Sequence, residues 1–152
     1  MTREGAASDF ASLQKTLDYY FKDESFLIQA FTHPSYAYES QEKEAAANGR
    51  LEFLGDSILG MVVSEYLYRK FPAFPEGELT RQRSMLVNRS HLSAKAQEMK
   101  LAQHLRLGKG EEKMGGRKNA TNLEGALEAV IGAIYLDGGF EEAERFILRA
   151  VM

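Results

Sequence analysis

The sequence contains no cysteine, and none of its apolar runs approaches the roughly 20 residues needed to cross a membrane. The first absence excludes a disulfide scaffold and any metal site built from thiolates. Residues 1–10 also have no apolar stretch like that of a secretory signal peptide. We therefore predict a cytoplasmic protein that has no membrane partner.

A basic excess is missing as well, because 19 lysine and arginine residues face 22 aspartate and glutamate residues, for a net charge of −3. Proteins that bind nucleic acid strongly usually carry an excess of basic residues. Charge can still be segregated, with acids in one site and bases along one groove, and basic residues do cluster in two segments. The clusters are Arg81, Arg83 and Arg89, and Lys109, Lys113, Arg117 and Lys118. Scattered solvated charge is the alternative interpretation.

Apolar residues recur at helical spacing along most of the 152 residues, and no segment shows the alternation of a strand. A composition of 44% hydrophobic and 27% charged residues is typical of one globular domain. We predict an all-α fold. The expected helices begin at Ser8 or Asp9, at Asp23, at residue 49 or 50 (ending at Lys70), near Leu79, at Asn88 or Ser90, at Thr121 (ending near Asp137) and at Phe140. Residues 39–48 are predicted to form a loop or a loose turn of helix, and residues 108–119 a mobile loop.

Two pairs of acidic residues each precede a long apolar segment. Glu52 and Asp56 lie four residues apart, and so do Glu124 and Glu128. Residues at i and i+4 stack on one face of a helix, where two carboxylates repel each other unless a cation or a proton is present. Small residues accompany both pairs, at Gly55, Gly60, Gly125 and Gly132. Two such helices could pack closely and bring Glu52, Asp56 and Glu128 together.

Carboxylate oxygens suit Mg²⁺ or Mn²⁺, and a metal held there could activate water for attack on a phosphate. Spacing alone therefore indicates a metal-dependent hydrolase of unknown substrate. A structural role is the alternative, because glutamate is favoured near helix N-termini. Thr121 and Glu124 also have the spacing of a capping box.

Residues 48–57 read Asn-Gly-Arg-Leu-Glu-Phe-Leu-Gly-Asp-Ser, which resembles the signature of the ribonuclease III family at every position except Gly49. Other segments resemble that family's motifs in order and spacing. They are residues 31–36 (Phe-Thr-His-Pro-Ser-Tyr), 76–80 (Glu-Gly-Glu-Leu-Thr), 107–112, 115–117 and 127–137. The resemblance covers nearly the whole chain.

The resemblance implies an all-α endonuclease domain over residues 1–152 that forms a symmetric homodimer with a valley for double-stranded RNA. Family members process ribosomal and messenger RNA, hydrolyse each strand with divalent metal, normally Mg²⁺, and leave a 5′-phosphate and a short 3′ overhang. Bacterial members usually continue into a double-stranded-RNA-binding domain, which we expect to be absent from this chain because the chain ends at Met152, after the last predicted helix.

Residue by residue, the resemblance implies that Glu52, Asp56 and Glu128 are catalytic metal ligands. It also implies that Glu76 is an acid near the RNA and the active site. Phe53 would insert into the partner subunit, with an ordinary core position as the alternative. Candidate phosphate contacts in the valley are Arg81, Arg83, Lys109, Arg117 and Lys118.

Two glycines depart from the family pattern. Gly49 replaces a glutamate of the signature, and Gly125 stands where many members have a metal-binding aspartate. Because glycine has no ligand oxygen, we expect a weaker metal site and reduced turnover unless water or Glu124 fills the gap. The alternatives are a weakened domain that binds or scaffolds RNA as a dimer, and a purely structural helical dimer.

Overall fold

The computed structural model describes residues 3–40 and 46–152. Within these ranges the chain forms nine α-helices and two 3-10 helices and contains no β-strand, which confirms the all-α prediction. The helices are α1 (Arg3–Leu17), α2 (Glu24–Ala30), α3 (Pro34–Glu39), α4 (Gly49–Lys70), α5 (Glu76–Val87), α6 (Arg89–Glu98), η1 (Leu101–His104), α7 (Lys109–Lys113), η2 (Gly116–Lys118), α8 (Ala120–Gly138) and α9 (Phe140–Ala150).

Several predicted boundaries are confirmed. Asp23 caps α2 by accepting a hydrogen bond from the Ser25 amide, and Asn88 caps α6 by accepting one from the His91 amide. α4 spans the predicted range, and α8 ends at Gly138, followed by Gly139 with a positive φ of 92°. Positive φ at that position favours glycine, which explains why the helix stops there.

Other parts of the helix prediction were wrong or incomplete. α1 begins at Arg3, upstream of Ser8 and Asp9. A short helix that was not predicted starts at Pro34, because His33 accepts from the Ser35 amide and proline is tolerated in a first helical turn. The predicted mobile loop contains α7 and η2. Of the predicted loop over 39–48, residues 41–45 lie outside the described part of the chain.

Helix α8 forms the centre of the molecule, since its side chains are buried almost continuously from residue 125 to residue 134. A helix that is apolar on all sides is typical of a core element. α4 crosses it at very short distance. A Cβ at Gly55 would overlap the Glu128 carbonyl oxygen, and a Cβ at Gly132 would lie 3.2 Å from the Leu51 carbonyl carbon. Glycine at both positions therefore permits the crossing.

The end of α8 is joined to the N-terminal part of the chain by Asp137. One carboxylate oxygen of Asp137 accepts from the Tyr19 hydroxyl at 2.6 Å and from the Lys22 amide at 2.9 Å, and the other accepts from the Asp23 amide at 2.9 Å. These hydrogen bonds lower the pKa of Asp137 against the effect of its partial burial.

We expect Asp137→Asn to destabilise the protein by about 1–2 kcal/mol at pH 7, because an amide has one oxygen and cannot accept from all three donors. Since the folded pKa is depressed, the contribution of Asp137 is complete above its unfolded pKa of about 4 and is lost as pH falls through the lower folded value. Urea unfolding at pH 7 and pH 3 measures both effects. Tyr19→Phe should lose part of the same stability, whereas the control Tyr20→Phe, at an exposed position, should lose none. An Asp137→Asn deficit that is unchanged at pH 3 would contradict this assignment.

Candidate acidic site

The crossing of α4 and α8 brings together the acidic residues that the sequence singled out. The backbone of Gly55 lies against the carbonyl of Glu128, so Asp56 on α4 is next to Glu128 on α8. Asp56 is exposed, whereas Glu128 is 5% exposed. The two carboxyl groups lie close enough that a hydrogen bond with Asp56 contributes to the raised pKa of Glu128. One of the pair must carry a proton for that bond to form, or a cation must separate them.

Burial, the hydrogen bond with Asp56, and the charges of Asp56, Glu124 and Glu52 raise the pKa of Glu128 to about 9. Burial raises the pKa of Glu52 as well, with further contributions from Glu124 and Asp56. Carboxyl groups with raised pKa values near other acids are typical of functional sites. The local potential is therefore strongly negative and would attract a cation.

Glu52 is turned toward Gly125. A Cβ at Gly125 would lie 2.7 Å from Glu52 Oε2 and 3.1 Å from its Cδ, so the carboxylate of Glu52 fills the space that a side chain at position 125 would use. In this arrangement the described residues contain no group of three or more histidine, aspartate or glutamate side chains that is set to hold a metal ion. The chemistry of the donors nevertheless fits a hard divalent cation, because Asp56 and Glu128 supply carboxylate oxygens and Glu128 is buried.

The capping-box prediction for Glu124 was wrong. Asn119 is the N-cap of α8 and accepts from the amides of Thr121 and Asn122, so Thr121 lies inside the helix. Glu124 instead forms an ion pair with Arg89, from Nε to Oε2 at 3.1 Å. Sequence spacing gave no sign of this pair, because its members are 35 positions apart.

Glu76 lies away from the other acids. It accepts from the Thr80 hydroxyl at 2.9 Å and lines a shallow pocket with Ser64 and Tyr68 of α4. Ser64 is two helical turns beyond Asp56, about 12 Å along the axis. A single chain thus places Glu52, Asp56 and Glu128 within electrostatic range of one another and leaves Glu76 on a neighbouring surface.

The basic candidates differ in their partners. Arg81 binds Glu78 with two hydrogen bonds, of 3.0 and 2.6 Å, and these bonds together with one from Gln82 lower the pKa of Glu78 to about 2. Arg83 donates to the Ser64 hydroxyl at 2.9 Å. Arg117 donates to the carbonyls of Ala102 and Leu105 and to Glu112, so its guanidinium fixes the chain between η1 and η2. Lys109 and Lys118 are exposed.

A family model described as ribonuclease-III-like matches residues 23–152. The chain belongs to this family. It is 45% identical over 141 residues to ribonuclease 3 of Syntrophotalea carbinolica, covering 93% of this chain and 61% of the relative. It is 50% identical over 138 residues to ribonuclease 3 of Carboxydothermus hydrogenoformans, covering 91% and 59%. The chain thus spans about three fifths of the length of these relatives.

The fold is that of ribonuclease III nuclease domains. A solved nuclease domain of ribonuclease III from Campylobacter jejuni superposes with a TM-score of 0.85 at 41% identity, covering 92% of this chain and 94% of that one. That Campylobacter jejuni domain has structural flexibility in a region involved in dimer formation. Dicer from Pichia stipitis is a more distant neighbour, with a TM-score of 0.61 at 27% identity over 87% of this chain and 54% of that one.

Helix α4 also has an exposed apolar surface. Phe53, Met61 and Tyr68 are 78%, 59% and 73% exposed. Their spacing places them on one face of the helix, with Ser57 and Ser64 between them. Phe53 is thus no part of the core of the single chain.

Among the described helices, none is both long enough and apolar enough to cross a membrane.

Sequence reasoning missed a polar network beside Glu52. His33 interacts electrostatically with Glu52, and the same imidazole is within hydrogen-bond distance of Asn122. The motif Phe-Thr-His-Pro-Ser-Tyr was the available signal, but no spacing rule connects residue 33 with residue 122.

Proposed function

We propose that residues 1–152 form the nuclease domain of a double-stranded-RNA-specific endoribonuclease that requires a divalent metal. The observation that carries the proposal is the close α4–α8 crossing of a ribonuclease-III-like fold, which places Asp56 beside the buried carboxyl group of Glu128. Processing of ribosomal and messenger RNA precursors in the cytoplasm is the corresponding role. The products carry a 5′-phosphate and a short 3′ overhang.

Asp56, Glu128 and Glu52 would hold the metal, normally Mg²⁺ with Mn²⁺ as a substitute. When bound, the ion supplies an activated water and neutralises charge on the phosphate. The chain contributes the fixed geometry, because the α4–α8 crossing sets the separation of Asp56 and Glu128. Glu52 lies beside them on a flexible side chain. The buried position of Glu128 strengthens its electrostatic interactions.

The substrate surface combines an acidic centre with basic groups around it. Arg81, Arg83, Lys109 and Lys118 are exposed and are the candidates for contacts to phosphates, which orient a duplex without reading its sequence. Arg117 is a weaker candidate, because its guanidinium group already donates to the backbone carbonyls of Ala102 and Leu105. Glu76 would act near the RNA from its separate position on α5.

A homodimer is part of the proposal. The exposed face of α4 that contains Phe53, Met61 and Tyr68 is apolar, and such faces mark interaction sites. Phe53→Asp should shift the sedimentation coefficient from that of a dimer to that of a monomer. Tyr38→Asp is the matched control, since Tyr38 is 92% exposed and lies on α3. Equal sedimentation of the Phe53 variant and the unaltered protein would contradict this interface.

The direct test is incubation of the chain with an end-labelled RNA duplex and Mg²⁺ or Mn²⁺. We expect cleavage into fragments with 5′-phosphates, and no cleavage with Glu128→Ala.

The second candidate function is an RNA-binding dimeric scaffold, which is favoured by Gly49 and Gly125, because neither has a ligand oxygen. Duplex binding without cleavage at any metal concentration would support that candidate and reject the nuclease.

Restoring a carboxylate should lower the Mg²⁺ concentration that gives half-maximal cleavage by about tenfold. Gly49→Glu has open space around its Cβ, and Gly125→Asp requires only that the flexible end of Glu52 rotates away. The controls are Gly49→Ala and Gly125→Ala, which add the Cβ without the ligand. A magnesium titration that is identical for both restored variants and the unaltered protein would be evidence against this account.

A further inference from the structure

A chain of hydrogen bonds connects four half-buried side chains from three helices. His33 Nδ1 lies 2.7 Å from Ser35 Oγ, and His33 Nε2 lies 3.1 Å from Asn122 Oδ1. Asn122 Nδ2 donates to Glu111 Oε1 at 3.0 Å and to the Gly116 carbonyl at 2.9 Å. At the other end, Ser35 Oγ accepts from the Gly108 amide at 2.9 Å. We call Ser35, His33, Asn122 and Glu111 the His33 network.

The backbone fixes the direction of every bond in the His33 network. The Ser35 amide can only donate, so His33 Nδ1 is an acceptor and Nε2 carries the proton. His33 Nε2 therefore donates to Asn122 Oδ1, which leaves the amide nitrogen of Asn122 to donate to Glu111. The Ser35 hydroxyl accepts from Gly108 and donates to His33. In this series of hydrogen bonds every donor is paired with an acceptor, which is the condition for a rigid polar network.

The His33 network joins the segment 108–118 to the acidic site. Gly108, Glu111 and Gly116 belong to that segment, while Asn122 belongs to the first turn of α8. Asn122 precedes Gly125 by one helical turn, and the carboxylate of Glu52 lies against Gly125. The same segment contains Lys109, Lys113, Arg117 and Lys118. A shift of these bonds would move basic groups relative to the acids.

We propose that His33 and Asn122 are positioning residues that hold the basic segment 108–118 in register with the Asp56–Glu128 pair. This inference rests on the proposed function, since the register matters for a duplex that contacts both. Neither residue needs to touch the reacting atoms. They keep segment 108–118 ordered before RNA binds, so that binding does not have to include the entropy cost of ordering it.

Two variants break the His33 network at different points and spare local structure. His33→Asn keeps an oxygen that can accept from the Ser35 amide, so α3 retains its cap, but the shorter side chain cannot reach Asn122. Asn122→Asp still accepts from His33 and sets a carboxylate against Glu111 and the Gly116 carbonyl. The double variant Asn122→Asp/Glu111→Gln reverses the polarity of that bond and restores one donor. Thr121→Ala, at an exposed position in the same turn, is the control.

In steady-state cleavage of duplex RNA, we expect His33→Asn and Asn122→Asp to raise KM by about tenfold while kcat changes by less than about threefold. The double variant should recover part of the KM, and Thr121→Ala should match the unaltered protein. Unchanged KM in both single variants, or a fall in kcat alone, would overturn the proposal.

Hydrogen exchange of the metal-free chain gives a readout that does not depend on cleavage. Peptides covering residues 106–118 should exchange faster in the two single variants, and peptides covering residues 126–135 should not. Uniform acceleration in both regions would show a general loss of stability and reject a positioning role. If the unaltered chain neither cleaves nor binds duplex RNA, the proposed function fails, and hydrogen exchange still decides whether the network orders the segment.

Discussion

Replacing Gly55 by alanine is expected to destabilise the protein by about 3 kcal/mol, within the range for overpacked cores. The added Cβ would overlap the Glu128 carbonyl oxygen and lie 2.6 Å from the carbonyl carbon. These are backbone atoms of a buried helix, so they cannot rotate away as a side chain would. The helices α4 and α8 would have to separate, and the apolar contacts along their crossing would weaken.

The measurement for Gly55→Ala is chemical unfolding, combined with cleavage of duplex RNA at 20 °C, where the variant stays folded. Because the crossing sets the separation of Asp56 and Glu128, cleavage should fall even in the folded fraction. Gly60→Ala is the matched control on the same helix, since its Cβ position is open in the single chain. Alanine there should be neutral or stabilising by up to about 1 kcal/mol. Equal stabilities of the two variants would contradict the close crossing.

The sequence predicted the helices of the core better than the short elements around it. α4 and α8 are long and flanked by strong stop signals, Pro72 after the first and Gly139 at the end of the second. In contrast, α3 and α7 have six and five residues, which is too short for a periodic pattern. The cap of α8 was misplaced because Asn119 and Thr121 both have side chains suited to capping.

In the acidic site, the sequence predicted the local spacing of the acids but not the contacts between distant residues. Spacing at i and i+4 indicated each acidic pair, and the family resemblance selected Glu52, Asp56 and Glu128 as partners. Contacts between residues far apart in sequence could not be predicted, namely the Arg89–Glu124 ion pair and the His33–Asn122 bond. The metal, RNA and dimer roles of the named residues stay predictions, and experiments on Glu128 have the greatest power to test them.

Glu128→Gln should separate activity from stability. We expect cleavage to fall by at least about a hundredfold, because the amide cannot supply the negative charge that a divalent ion and the developing phosphate charge require. The metal-free protein should become more stable by roughly 1–2 kcal/mol at pH 7. Gains of this size are common when a substitution removes an unfavourable group from a functional site. Glutamine fits the same buried volume and donates a hydrogen bond to Asp56 without having to hold a proton.

The gain in stability from Glu128→Gln should depend on pH. The folded protein raises the pKa of Glu128 to about 9, whereas the unfolded chain releases the proton near pH 4. Glu128 therefore lowers stability progressively as pH rises between these values, and the advantage of glutamine should be small at pH 4 and larger at pH 8. Glu141→Gln, at an exposed position on α9, is the control.

Thermal unfolding with added Mg²⁺ or Mn²⁺ completes the test of Glu128. A ligand that binds the folded state alone raises the Tm, so both ions should stabilise the unaltered protein and the Glu141 control. The Glu128 variant should gain little, because it has lost a ligand and the charge that attracts the ion. A similar metal-dependent rise in Tm for the Glu128 variant would remove Glu128 from the metal site. The buried carboxyl pair would then be a structural feature of the helix crossing.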